Sequence, residues 1–161
     1  FCLVAPDVGT YDVVVSGLGG DQMYGGSISF QGCDQATPYG TFVSTASGFF
    51  PSSVSVDVSG ATGDTILGGC VLHGSNSTQP VATASGTQRW QNGNGVSNSG
   101  AGIGNTDAGA STVTLSYTSL SDTLTAACAG VAVKASGGAS IPIAAVIAQS
   151  SSCQMVGVIW E

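Results

Sequence analysis

Apolar and polar residues alternate in short runs along much of this chain. Val54, Val56 and Val58 alternate with Ser53, Ser55, Asp57 and Ser59. The same two-residue period recurs at Tyr11, Val13 and Val15, at Ile28 and Phe30, and at Val113, Leu115 and Tyr117. Successive side chains of a strand point to opposite faces, so each run predicts a strand with one face in a core and one in water. Four stretches are more continuously apolar: 65–72, 124–133, 141–148 and 155–160. They predict strands at sheet centres or covered on both faces. The Ala-rich region 124–148 has helix propensity. However, Gly130, Gly137, Gly138 and Pro142 interrupt it, and it lacks the charged face of a surface helix.

Turn-forming residues separate the runs: Gly17-Leu18-Gly19-Gly20-Asp21, Thr37-Pro38-Tyr39-Gly40, Gly60-Ala61-Thr62-Gly63-Asp64 and Ser136-Gly137-Gly138. Glycine supplies positive φ there, and Asp or Thr satisfies turn backbone groups. The Gly-, Asn- and Ser-rich stretch 91–110 reads as the longest loop. Many short strands with regular turns predict an all-β fold, an antiparallel β-sandwich of jelly-roll type.

Composition narrows the setting. Hydrophobic residues are 42% of the chain and charged residues only 7%, against ~25% charged in an average soluble domain. A disordered chain shows the opposite balance, so this one is expected to fold. The net charge of −7, with Lys134 and Arg89 as the only basic residues, offers nothing to a phosphate backbone or an anionic membrane surface. Nucleic acid is therefore excluded as a partner. No apolar run reaches the ~18–20 residues that span a bilayer, so no membrane insertion is expected. The opening Phe1-Cys2-Leu3-Val4-Ala5-Pro6 lacks the basic region and the length of a signal peptide.

Cys2, Cys33, Cys70, Cys128 and Cys153 have no C-x-x-C spacing, which removes zinc-ribbon and thioredoxin readings and leaves them as disulfide candidates. An odd number leaves at least one thiol free or paired with another chain. Richness in Ser, Thr and Gly suits an extracellular setting, where disulfides persist. Asn76-Ser77-Thr78 is a glycosylation sequon, with Asn76 the acceptor in a glycosylating host.

The run Gly26-Ser27-Ile28-Ser29-Phe30-Gln31-Gly32-Cys33-Asp34-Gln35-Ala36-Thr37-Pro38-Tyr39-Gly40-Thr41 resembles a recurrent segment of β-sandwich modules in large secreted or surface-attached bacterial proteins. Ser53-Val54-Ser55-Val56 with Thr62-Gly63-Asp64, then Gly86-Thr87-Gln88-Arg89-Trp90, then Ala110 to Tyr117, and finally Ala129-Gly130-Val131-Ala132-Val133-Lys134 follow in that family's order. The resemblance implies that 1–134 is most of one module. The order is rotated: Phe1 to Pro6 resembles a mid-module strand, and Cys153 to Trp160 resembles an early one. Residues 135–161 are then expected to be a linker and further strands that close the same sandwich or start a neighbouring one. The sandwich would be completed by terminal strands or by a neighbouring chain, because an open sheet edge pairs readily. Cys33, Cys70 and Cys128 depart from the bulkier residues of that family.

Candidate chemistry is sparse. His73 is the only histidine, and no serine lies in a nucleophile elbow. The aspartates are scattered and mostly flank Gly or Pro, where Asp shapes turns. No D-x-D-x-D-G loop occurs, so calcium would need loop aspartates and carbonyls converging from separate segments. The Gly-rich region around Gly93 and Gly104 has neither a following helix nor a nearby Lys, which excludes a phosphate-binding loop. Tyr24, Tyr39 and Trp90 are the candidates for a flat sugar-stacking platform, set against ordinary core packing. No catalytic constellation emerges, and no enzyme is expected.

These readings converge on a structural or assembly protein of an extracellular fibre, filament, cell surface or virion. It would self-associate through strand edges with copies of itself or other structural subunits. The alternative is a carbohydrate-binding or adhesive module, with or without calcium.

Overall fold

The computed structural model describes residues 10–13, 25–48, 51–74, 81–93, 100–121, 123–138, 143–149 and 155–158. In chain order its strands are β1 (Thr10–Val13), β2 (Gly25–Phe30), β3 (Val43–Ala46), β4 (Ser53–Val58), β5 (Thr65–Gly74), β6 (Val81–Ala84), β7 (Thr87–Gly93), β8 (Gly100–Ala108), β9 (Val113–Ser121), β10 (Thr123–Val133), β11 (Ile143–Gln149) and β12 (Met155–Val158). A 3-10 turn, Ser136–Gly138, follows β10. Every strand pair is antiparallel.

The chain is an all-β sandwich. A five-stranded sheet of order β3-β10-β5-β8-β7 faces a three-stranded sheet of order β4-β9-β6. Two further pairs, β11-β2 and β1-β12, complete the pairings. The alternation in β4 works as its sequence predicts: Val54, Val56 and Val58 are buried while Ser53, Ser55 and Asp57 are exposed. In β9, Leu115 and Tyr117 are fully buried on the same face as half-buried Val113. These side chains meet Ile66, Cys70 and Leu72 of β5, Ala101 and Ile103 of β8, and Ala126, Cys128 and Ala132 of β10. Burying one such large aliphatic side chain contributes about 1.5–3 kcal/mol.

The two sheets fit because the inner face of the large one is grooved. Gly130 and Gly68 lie side by side in register, with Asn105 next in the row. A Cβ at Gly68 would sit 2.4 Å from Leu115 Cδ1 and 2.7 Å from the Tyr117 hydroxyl. A Cβ at Gly130 would sit 2.6 Å from Val58 Cγ2. The missing side chains are the space into which Leu115 and Tyr117 insert. The Tyr117 hydroxyl donates to Asn105 Oδ1 at 2.7 Å, and Asn105 Nδ2 donates to the Ser85 carbonyl at 2.8 Å. The buried Tyr117 hydroxyl and Asn105 amide thus have partners, without which burying each would cost about 1–3 kcal/mol.

One expectation is corrected. The stretch 91–110 is not one loop: β7 runs to Gly93, and β8 occupies Gly100–Ala108 between β5 and β7. Its glycines are compatible with a strand because Trp90 covers one of them: a Cβ at Gly104 would lie 2.2 Å from the Trp90 indole Nε1. Strand β5 lies at the sheet centre, as its continuous apolar run predicts, with Val71 53% exposed.

Candidate functional site

Among the described residues, three surface features and one interior pair carry chemistry or contact potential. The first is the outer face of the five-stranded sheet. Side chains alternate, so the residues between the core positions of β5 form this face: Leu67, Gly69, Val71 and His73. Register places Ala127 and Gly102 beside Val71, and Ala129 and Gly104 beside Gly69. Ser44 and Ala46 of the end strand β3 extend the same rows, opposite Ala129 and Ala127. Ser44, Ala46, Ala127, Ala129, Val71 and His73 are exposed. Strands β3, β10 and β5 place no Asp, Glu, Lys or Arg on this face. The exposed part of this surface is built largely of small side chains, with Val71 and His73 projecting from β5.

At one end of the sandwich lies an open cleft of about 680 Å³, with Asp64, Thr65, Thr87, Arg89, Thr106 and Asp107 in its wall. The turn that carries Asp64 is closed by that residue: Oδ2 accepts from the Ala61 N–H at 2.9 Å, and Oδ1 accepts from the Ala135 N–H at 3.2 Å. Asp107 Oδ1 accepts from the Ala108 N–H at 2.8 Å. Arg89 sits at an irregularity in the β7–β8 pairing, and its Nε donates to Thr106 Oγ1 at 2.7 Å. The carboxylates here organise backbone, and the guanidinium brings donors to an otherwise polar wall.

The third feature is the segment between β2 and β3. Asp34 caps its turn, with Oδ1 accepting from the Ala36 N–H at 2.8 Å and the Thr37 N–H at 3.1 Å. The Thr37 and Ala36 backbone hydrogen bonds hold the Asp34 carboxyl below the usual range, because they favour its charged form. Beyond the turn, the rings of Tyr39 and Phe42 stand 5.8 Å apart at 44°. Phe42 is 68% exposed, so an aromatic surface does form here. Tyr39 is a candidate from the sequence; Phe42 is not, because its only signal there is an aromatic residue next to a turn with no alternating partner.

In the interior, Cys70 of β5 and Cys128 of β10 stand directly opposite each other, both buried and both free thiols. Burial pushes the Cys70 thiol up to about 12, with the neighbouring Cys128 adding to the shift. Cys128 is raised by burial as well. The Tyr117 hydroxyl is raised by burial and then by the two cysteines. Cys33 is half-buried in the segment after β2, where its backbone pairs with that of Ala135. No disulfide joins cysteines among the described residues. Cys2, Cys153, Asn76 and Tyr24 lie outside those residues.

Trp90 is half-buried, and its indole lies against Gly104 and Gly26: a Cβ at Gly26 would come within 2.5 Å of the ring. Its surroundings are the protein's own backbone, which fits the packing alternative better than the sugar platform. His73 is exposed on β5, opposite Thr125 and Gly100. Among the described residues no three His, Cys, Asp or Glu side chains converge as metal ligands, and no helix is long and apolar enough to cross a membrane. Compared with known protein families, curated proteins and solved structures, the chain matches none.

Proposed function

We propose that this chain is a structural subunit of an extracellular assembly, such as a fibre, a filament, a cell surface layer or a virion, and that it packs against copies of itself. The observation that carries this reading is the outer face of the β3-β10-β5 strands. Its Val71 is 53% exposed among Ala127, Ala129, Gly69 and Ser44. A flat face without charge can be buried with little desolvation cost, and sheets stack face to face at ~10 Å when the side chains between them are accommodated. A second copy suits this face because it has no charges with which to select a charged partner. The end strands β3, β4 and β6 add edges that another strand could extend. The pattern-level resemblance to modules of secreted, surface-attached bacterial proteins supports the same setting.

Electron microscopy of the purified chain across a concentration series tests the proposal. Regular oligomers or filaments that grow with concentration are expected. A monomeric particle at the highest concentration would overturn it.

A glycan-binding module is the second reading, favoured by the exposed Phe42 beside Tyr39 and by the polar wall of Arg89, Asp64 and Asp107. Binding on a glycan array that is lost in Phe42→Ala would establish it. No binding with or without calcium would retire it.

A further inference from the structure

We infer that Cys70 and Cys128 form a cross-strand disulfide that locks β5 to β10 under oxidising conditions. The inference stands apart from the assembly reading, since both residues belong to the interior. Three observations carry it. First, the register places the two residues directly opposite: Cys128 pairs with Cys70, between the pairs Ala127–Val71 and Ala129–Gly69. Second, both face the core, at 3% and 2% exposure. Third, both are thiols already, so no other residue has to leave the space between them.

Directly opposed residues of an antiparallel pair have Cα atoms ~4.5 or ~5.5 Å apart, according to whether the pair is hydrogen-bonded. Both separations lie inside the ~4.4–6.8 Å span of disulfides. Cys33 does not share this row; it is bridged to Ala135 in the segment after β2. Burial raises both thiols and so disfavours the thiolate that must attack. Bond formation therefore belongs to folding, before the two sheets close over the pair, and a completed bond would be shielded from reductant by the same burial.

The oxidant is a small-molecule disulfide such as glutathione disulfide. One cysteine thiolate attacks a glutathione sulfur, breaking its S–S bond and releasing one glutathione thiolate. The second cysteine thiolate then attacks the mixed disulfide and releases the other. One S–S bond forms as one breaks; the two cysteines lose two electrons, and their protons end on two glutathione thiols.

The chain itself simplifies the test. Trypsin can cut only after Arg89 and Lys134, giving fragments 1–89, 90–134 and 135–161. The full chain is refolded with glutathione disulfide, its remaining thiols are blocked with N-ethylmaleimide in denaturant, and the digest is run without reductant. Fragment 90–134 holds Cys128 alone, so the expected product is 1–89 joined to 90–134 and released by reductant. Fragmentation mass spectrometry of wild type then assigns the bond to Cys70 rather than to Cys2 or Cys33, which does not depend on any variant folding. Cys33→Ala is expected to keep the link and Cys70→Ala to lose it. The oxidised protein should melt roughly 5–15 °C above protein refolded in reductant. Maleimide on Cys128 of the oxidised, folded wild type, or a bond from Cys128 to any other cysteine, would overturn the inference.

Discussion

The two faces of the five-stranded sheet are made by the same strands and differ in almost every respect. On β5, Ile66, Cys70 and Leu72 are buried, while the intervening Val71 and His73 are exposed. The inner face is uneven, with Gly68 and Gly130 forming a depression that Leu115 and Tyr117 fill. The outer face is more level, with Ala127, Ala129, Gly69 and Ser44 small and only Val71 and His73 of β5 standing exposed above them. Shape complementarity within one chain and flatness toward solvent are different uses of small residues. On the inside a missing Cβ admits a specific partner side chain. On the outside small side chains leave the surface open to whatever is flat enough to approach.

That contrast is broken most severely from the inside. Leu115→Ala removes a fully buried side chain that touches the Gly68 and Gly130 positions, and should cost about 2–5 kcal/mol in urea unfolding. Next is Gly68→Ala, which adds a methyl where Leu115, the Tyr117 hydroxyl and Asn105 already stand within 2.8 Å of its Cβ position. Overpacking of this kind should cost about 1–3 kcal/mol, measured the same way. Tyr117→Phe keeps the ring and deletes the donor to Asn105 Oδ1, a loss of about 1–3 kcal/mol. By contrast, Ala129→Ser on the outer face should stay within about 0.5 kcal/mol of wild type. A large loss there would mean that the face is packed within the chain rather than open.

The smallest effect lies away from both faces. Asp34 has a lowered pKa because the folded turn donates hydrogen bonds to its charged form. Its stabilisation is therefore present above the ordinary carboxylate range and is lost as pH falls through the depressed folded value. Asp34→Asn should remove that part of the acid-side slope, and a carboxyl NMR titration should find Asp34 below the ordinary carboxylate range.

The sandwich was legible because alternation is a local property. Val54, Val56 and Val58 declare their buried face without reference to any other strand, and so do Leu115 and Tyr117. Strand β8 was not legible, because Gly102, Gly104 and Asn105 have no apolar alternation of their own. They become strand residues only once Trp90 covers Gly104 and Tyr117 bonds Asn105, contacts that come from other strands. The exposure of Val71 was hidden for a related reason. A continuous apolar run such as 65–72 looks the same whether one face or two will be covered. The opposition of Cys70 and Cys128 depends on register between strands distant in the chain, which spacing does not encode.

If the outer face of β5 and its neighbours is the contact between copies of this chain that we propose, a charge placed on it must weaken association. Sedimentation velocity of wild type and Val71→Lys, at matched concentration and with far-ultraviolet circular dichroism to confirm the fold, tests it most directly. The wild-type chain carries a net charge of −7, so an added lysine lowers overall repulsion between copies while placing a charge on the proposed contact. The account predicts concentration-dependent larger species for wild type and a folded monomer for Val71→Lys. Undiminished association of the folded variant would contradict it.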